Sequence, residues 1–362
     1  MKKLLLAIAV AAMGMMASCS QGSYKINVNF GDHIFDGKKA YLTNYDTGDT
    51  IDSTTVSEKH LLLKGDVDSS FFARLVVDGN RLELVVEPGE INVEWNEKIV
   101  TRGTPLNDKL NMLNAELEKL EQGWEQIDTD LNNQSITQVE AEARNKQLEK
   151  QQTDILFKCY KENKDNALGV WAFTNYVIYS SFTTSELEKQ LSAAPAGYRS
   201  YKRIKKAVSD AAAVENTAVG KNYVDIKMTT PDGKADKLSD HVGKDGAYTL
   251  VDFWASWCGP CRKEIQGSLM QLHEKYAGKG LQIVGVAVWD KPQDTKAAIA
   301  ELSIPWHVMM ASQYTTEPTD LYGIAGIPHI MLLDDKGKIL LRGLNGKELI
   351  DAVDNAMSQK SD

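Results

Sequence analysis

The hydrophobic and polar positions fall into three textures along the chain. From Tyr24 to Thr101 apolar residues alternate with polar ones: Tyr24, Ile26, Val28 and Phe30 stand at period two, the spacing of a strand with one buried face. Short apolar runs follow at Ala40–Leu42, Leu61–Leu63, Phe71–Val77, Leu82–Val86 and Ile91–Trp95, separated by turn pairs such as Asp36-Gly37, Gly48-Asp49 and Pro88-Gly89. Many short strands with that punctuation predict an all-β, sandwich-like domain over 19–103. His33 and His60 have no ligand spacing and are read as surface residues.

From Pro105 to Ala213 the period becomes helical. Leu106, Leu110, Leu113, Leu117, Leu120, Trp124, Ile127 and Leu131 step alternately by four and three, which is an a/d stripe. Such a helix packs on neighbours in its own chain or, alternatively, dimerises as a coiled coil into a homodimer. A second helix is expected over Thr137–Asn163 and a third over Ala167–Tyr179. Thr183-Thr184-Ser185-Glu186 is a capping box that opens another. Together these predict a helical region over 104–214.

Beyond Glu215 strands and helices alternate: an apolar strand Tyr248–Phe253, a helix Cys261–Tyr276, a buried strand Leu281–Val288, a helix Pro292–Leu302, a strand Trp306–Met310, a hairpin about Asp335-Lys336-Gly337 and a closing helix Lys347–Met357. That order predicts an α/β domain over 215–362, a sheet covered by helices on both faces.

A chain of 362 residues exceeds one ordinary core, in keeping with several domains. Its net charge of −9 argues against a nucleic-acid partner. No internal stretch reaches the ~18 apolar residues that span a bilayer. The N-terminus differs: Lys2 and Lys3, a short apolar run Leu4–Ala12, then small residues before Cys19 make a secretory signal over 1–18. Met16-Ala17-Ser18-Cys19 resembles a bacterial lipobox, which implies cleavage before Cys19 and lipidation of that cysteine; an uncleaved anchor helix is the alternative. Either places the protein outside the cytoplasm on a membrane. Ser20–Ser23 is uncharged, so the lipid-anchored protein is expected to face the periplasm of the cell envelope.

The remaining cysteines are Cys159, Cys258 and Cys261. Cys159, in a helical run, is read as a buried, inert thiol. One C-x-x-C in an exported chain is a reactive pair rather than a disulfide scaffold. Only a thiolate is nucleophilic, and Cys258 falls where a strand turns into a helix, so backbone N–H groups favour its anion. Cys261 lies one helical turn inward, within reach of Cys258. Cys258 is therefore the attacking and Cys261 the resolving thiol. Asp252, on the apolar strand six residues earlier, is expected to be buried with a raised pKa and to accept a proton from Cys261. A structural zinc site needs four ligands, and no second C-x-x-C or His-x₃₋₅-His is present, so neither a metal nor another cofactor is expected.

Val251–Cys261, with its Trp-Cys-Gly-Pro-Cys, resembles the active-site strand and turn of thioredoxin, and Tyr322–Pro328 resembles its second signature. The extra helix and strand Pro292–Met310 resemble the insertion of the TlpA/ResA group of membrane-tethered thioredoxin-like proteins. Asp49–Ser53, Glu87-Pro88-Gly89 and Arg102-Gly103-Thr104 are similar to the β domain of unknown function that precedes such modules in some Gram-negative lipoproteins. The resemblance implies a thiol–disulfide oxidoreductase with a cis bond before Pro328, which presents the Ile327 backbone beside Cys258. Trp257, Gly259, Pro260, Ile327 and Pro328 form the expected substrate-binding surface, and Trp254 the core aromatic. The family's lysine on the strand beside Asp252 is missing, Gln266 replaces its helix-kinking proline, and Glu264 matches a common acidic position without an assigned role. His329 stands where threonine is usual, either pointing to solvent or lying near the sulfurs; in the second case a copper- or metal-handling protein using Cys258, Cys261 and His329 is the alternative function. Gly259-Pro260 is the dipeptide of reducing thioredoxins, near −270 mV rather than the −120 mV or so of a strong oxidase. The expected partners are exported disulfide-containing proteins and a membrane electron donor.

Overall fold

The computed structural model describes residues 22–32, 35–311 and 315–360, and its chain divides into two compact units, 1–180 and 181–362. The signal-like segment, Cys19 and His33 lie outside the described residues. The division runs through the stretch read from sequence as one helical region: the first three helices belong to the first unit and the last two to the second.

In the first unit the alternating pattern becomes eight strands: β1 Gly22–Asn29, β2 Lys39–Asn44, β3 Thr50–Thr55, β4 His60–Val67, β5 Phe71–Val77, β6 Asn80–Val86, β7 Gly89–Trp95 and β8 Ile99–Arg102. They form two four-stranded sheets, ordered β4-β1-β7-β8 and β3-β2-β5-β6. Ile26, Val28, Ile91 and Val93 of one sheet and Ala40, Leu42, Leu75 and Leu84 of the other share one core. Each fully buried Val, Leu or Ile among them contributes roughly 1.5–3 kcal/mol. Helices α1 (Pro105–Asn132), α2 (Gln138–Asn163) and α3 (Ala167–Tyr179) follow. The heptad stripe is half covered within the unit: Leu110, Leu113, Leu120 and Ile127 are buried, Leu106, Leu117, Trp124 and Leu131 are half-buried, and α1 packs on α2, β6 and β8. Glu87 accepts hydrogen bonds from the N–H groups of Leu106 (2.8 Å) and Asn107 (3.2 Å), satisfying donors that the first turn of α1 leaves free.

The second unit opens with α4 (Thr184–Ala193), capped by Thr183 and Glu186 as the sequence predicts, and α5 (Lys202–Asn216). Then come β9 (Lys227–Thr229), β10 (Ala235–Lys237), β11 (Tyr248–Trp254), α6 (Gly259–Glu264), a π-helical turn (Ile265–Leu269), α7 (Met270–Tyr276), β12 (Leu281–Ala287), α8 (Pro292–Glu301), β13 (His307–Met310), α9 (Glu317–Asp320), β14 (His329–Leu333), β15 (Ile339–Arg342) and α10 (Gly346–Lys360). Among the described residues the strands form one sheet, β10-β9-β13-β12-β11-β14-β15. β11, β12 and β13 run parallel, and β14 pairs antiparallel to β11. This is a thioredoxin-like sheet. From Thr249 to Trp254 every residue of β11 is buried, as a central strand covered on both faces requires. Leu250 and Trp254 enter the core that also holds Cys258, Cys261, Ile265 and Ile330; Val251 and Phe253 enter the opposite one with Tyr322 and Met331.

Candidate active site

The C-x-x-C is held where β11 ends and α6 begins. Cys258 and Cys261 are joined by a disulfide, with Cα atoms 5.3 Å apart. The Cys261 backbone N–H points at the Cys258 sulfur, 3.2 Å away, the contact that would favour a thiolate there after reduction. Cys258 is 4% exposed and Cys261 fully buried, so the outer sulfur is itself nearly covered. Trp257 is 62% exposed, and its indole N–H donates to the carbonyl of Trp289 at 3.0 Å. Trp254 is fully buried.

The turn before Cys258 is anchored by a residue that sequence reading passes over. The Asp290 carboxylate accepts from the Ser256 N–H (2.6 Å), the Ser256 hydroxyl (2.9 Å), the Thr295 hydroxyl (3.0 Å) and the Lys291 N–H (2.8 Å). It stands 34 positions from Ser256, beyond the reach of any local motif. Arg262 is half-buried: it donates to the Ser256 carbonyl at 3.3 Å and pairs with Glu301, bracing the same turn. Lys263 is exposed.

Strand alternation directs Asp252 to the face of Leu250 and Trp254, which is the cysteine face. Asp252 is buried and neither carboxyl oxygen has a hydrogen-bond partner. Burial first, and the charge of Glu264 second, push its pKa up to about 8. Its partner in the β12 register is Gly285, and β12 carries no lysine or arginine to counter that rise. A side chain at Gly285 would press on the Trp254 indole, since an added Cβ would lie 3.1 Å from its nitrogen. Glu264 follows Cys261 by three residues and so shares its helix face. One Glu264 oxygen accepts from the Gly346 N–H at 2.9 Å and the other is buried without a partner. In place of the kinking proline the helix holds the π-helical turn Ile265–Leu269, a kind of irregularity frequent at functional sites.

The second signature arrives on the neighbouring strand. The Ile327–Pro328 bond is cis, and the Ile327 carbonyl oxygen lies 3.8 Å from the Cys258 sulfur. His329 pairs with Phe253 across β11 and β14 and is half-buried; its Nε2 is buried without a hydrogen-bond partner. It does not point freely into solvent. Burial, then the nearby charge of Arg342, lowers its pKa to about 4, so the ring is neutral at physiological pH. Cys159, in the first unit, is half-buried rather than buried, and burial raises its pKa to about 11.

A cysteine pair at the turn from a central strand into a helix, faced by a cis-proline on the adjacent strand, defines a thioredoxin-like thiol–disulfide oxidoreductase. A family described as Redoxin matches residues 218–356, and a domain of unknown function, DUF4369, matches residues 24–110. The thiol:disulfide interchange protein HelX of Rhodobacter capsulatus is 32% identical over 134 residues, covering 37% of this chain and 72% of HelX. The thiol-disulfide oxidoreductase ResA of Bacillus thuringiensis is 27% identical over 139 residues, covering 38% of this chain and 77% of ResA. Among solved structures, the thioredoxin domain of a thiol-disulfide oxidoreductase from Bacteroides vulgatus is 33% identical and covers 39% of this chain and 98% of that domain, with a TM-score of 0.36. The chain belongs to the redoxin family of thiol–disulfide oxidoreductases.

Proposed function

We propose that the protein reduces disulfides of exported proteins, with Cys258 as nucleophile, Cys261 as resolving thiol and Asp252 as the proton acceptor for Cys261. The observation that carries this reading is the buried, unpartnered carboxyl of Asp252 on the face of the sheet that holds both sulfurs. The Cys258 thiolate attacks a substrate sulfur, forming a mixed disulfide and releasing the first substrate thiolate. Cys261 passes its proton to Asp252 and attacks the Cys258 sulfur; the second substrate thiolate leaves, and the Cys258–Cys261 disulfide remains. Two electrons pass to the substrate in each cycle, so a membrane donor of the same number must restore the dithiol.

Trp257, Gly259, Pro260, Ile327 and Pro328 bind the substrate chain: the exposed indole offers an apolar platform, and the Ile327 backbone offers hydrogen bonds to an extended segment. Gly259-Pro260 and, among the described residues, the lack of a cation paired with the cysteines favour a reducing potential. The lipobox-like segment supports anchorage at Cys19 with the catalytic unit in the periplasm. Among the described residues no helix is long and apolar enough to cross a membrane. The deciding experiment is capture of mixed disulfides on Cys261→Ser in cells: exported proteins covalently held through Cys258 are the expected result, and their absence while Cys258→Ser still reduces insulin would overturn the assignment.

A further inference from the structure

On the side of the sheet edge remote in sequence from the cysteines, three side chains from three elements converge. Asp236 lies on β10, His241 in the turn after it and His307 at the start of β13. Nε2 of His241 is 2.8 Å from one carboxylate oxygen of Asp236, and Nε2 of His307 is 2.6 Å from the other. One ligand atom from each residue can be chosen so that all lie within 4.8 Å of one another. We propose that Asp236, His241 and His307 bind one divalent first-row transition-metal ion, with Zn²⁺ as the representative ligand.

The donor set is the first argument. Two imidazoles and a carboxylate suit zinc and its neighbours, whereas magnesium and calcium prefer all-oxygen sites. Three protein ligands leave a fourth position for water, which His307, 35% exposed at its side chain, leaves reachable from solvent. The Asp236 side chain is 7% exposed, so the anchoring ligand is fixed in the fold.

Charge is the second argument. Among the described residues Asp236 pairs with no lysine or arginine; its ionic partners are the two histidines alone. A bound dication would bring a fixed positive charge to this nearly covered carboxylate. The tautomers are free to allow it. Neither ring makes a second hydrogen bond among the described residues, so the proton can move to Nδ1 and free the Nε2 lone pair.

The rings now stack with centroids 4.0 Å apart and planes 27° from parallel. Nitrogen and oxygen at hydrogen-bond distance sit closer than the roughly 3.4 Å that separates ligands around a tetrahedral ion with bonds of about 2.1 Å. Metal binding must therefore move the ring nitrogens back from the carboxylate, and the more exposed His307 ring is the one able to swing. The missing hydrogen bonds at Nδ1 also forgo the outer support that strengthens metal-ligating histidines, so each should weaken binding by roughly 10–100-fold.

The test uses the full-length, tag-free protein in its disulfide form, carrying Cys159→Ser so that no free thiol competes. Zn²⁺ titration by calorimetry should saturate at one equivalent, and the imidazole NMR signals of His241 and His307 should move together. His307→Ala should abolish both effects, and Asp236→Asn should weaken binding at least about tenfold. His307→Gln serves if the alanine variant misfolds, and disulfide reduction by each variant, unchanged after removal of the metal, verifies its fold. Absence of saturable binding, binding that survives both His307 variants, or ring signals that respond to acid but not to Zn²⁺ would each leave only a hydrogen-bonded clamp and overturn the proposal.

Discussion

Asp252 and Glu264 set two carboxyl groups in the interior of the thioredoxin-like unit with no basic side chain paired to either among the described residues, and the charge of one raises the pKa of the other. A carboxyl kept protonated to about pH 8 works as a proton acceptor only near and above neutral pH, which ties resolution to pH. Asp252→Asn should therefore slow resolution more than attack. Mixed disulfide should accumulate at neutral pH and clear as pH rises and Cys261 loses its proton unaided. Stopped-flow kinetics with gel trapping reads both steps; unchanged resolution would make Asp252 a structural residue.

The same buried carboxyl has a cost in stability. The unfolded chain releases this proton near pH 3.8, whereas the folded protein holds it to about pH 8. Between those values the folded state binds more protons, so its stability falls as pH rises, and the full loss is reached above about pH 8. Asp252→Asn should match wild type at the acid end and become the more stable protein toward pH 8, by several kcal/mol, since each pH unit crossed contributes about 1.4 kcal/mol. Denaturant titrations across that range check the slope.

Glu264→Gln removes the second cause of the raised pKa. The alkaline-side pKa in the pH profile of resolution should move down, with the protein otherwise folded, because the Gly346 N–H can still donate to the amide oxygen. A profile identical to wild type would show that burial alone sets Asp252.

Asp290→Ala should destabilise the active-site turn more than its distance from the cysteines suggests. It leaves the half-buried Ser256 and the buried Thr295 donors unpaired, and charged hydrogen bonds of this kind are worth roughly 1.5–3 kcal/mol each. Thermal unfolding should show the loss, and Asp290→Asn should recover part of it.

Cys159 should resist alkylation beside the reduced redox pair. With a pKa near 11 it holds little thiolate at pH 7–8, and its labelling should climb only toward that pKa. Mass spectrometry after timed iodoacetamide treatment separates it from Cys258.

Sequence spacing carried the large elements because burial writes a period into them. The a/d stripe of α1 and the continuous apolar run of β11 were legible for that reason, and the capping box at Thr183 by its own short motif; the one at Thr137 went unread. β3 was not: it is an edge strand with no buried residue, so it has no alternation to read. β9 and β10 are three residues each, too short for any period. The redox pair declared itself because its residues are neighbours. The groups around it did not, since Glu264 gains meaning only when the helix turns it toward Asp252, and Asp290 only when β12 brings it beside Ser256. Asp236 and His307, 71 positions apart, meet only through the sheet.

The near-complete cover over the sulfurs makes the oxidised protein an insulated contact rather than an open electrode. With Cys258 at 4% exposure and Cys261 at none, a stray thiol in the surrounding fluid meets side chains before it meets sulfur. On the proposed reading, electrons would enter from a donor whose surface fits around the exposed Trp257 and the cis-proline loop, and shape at that rim would sort donors before any difference in reduction potential could act.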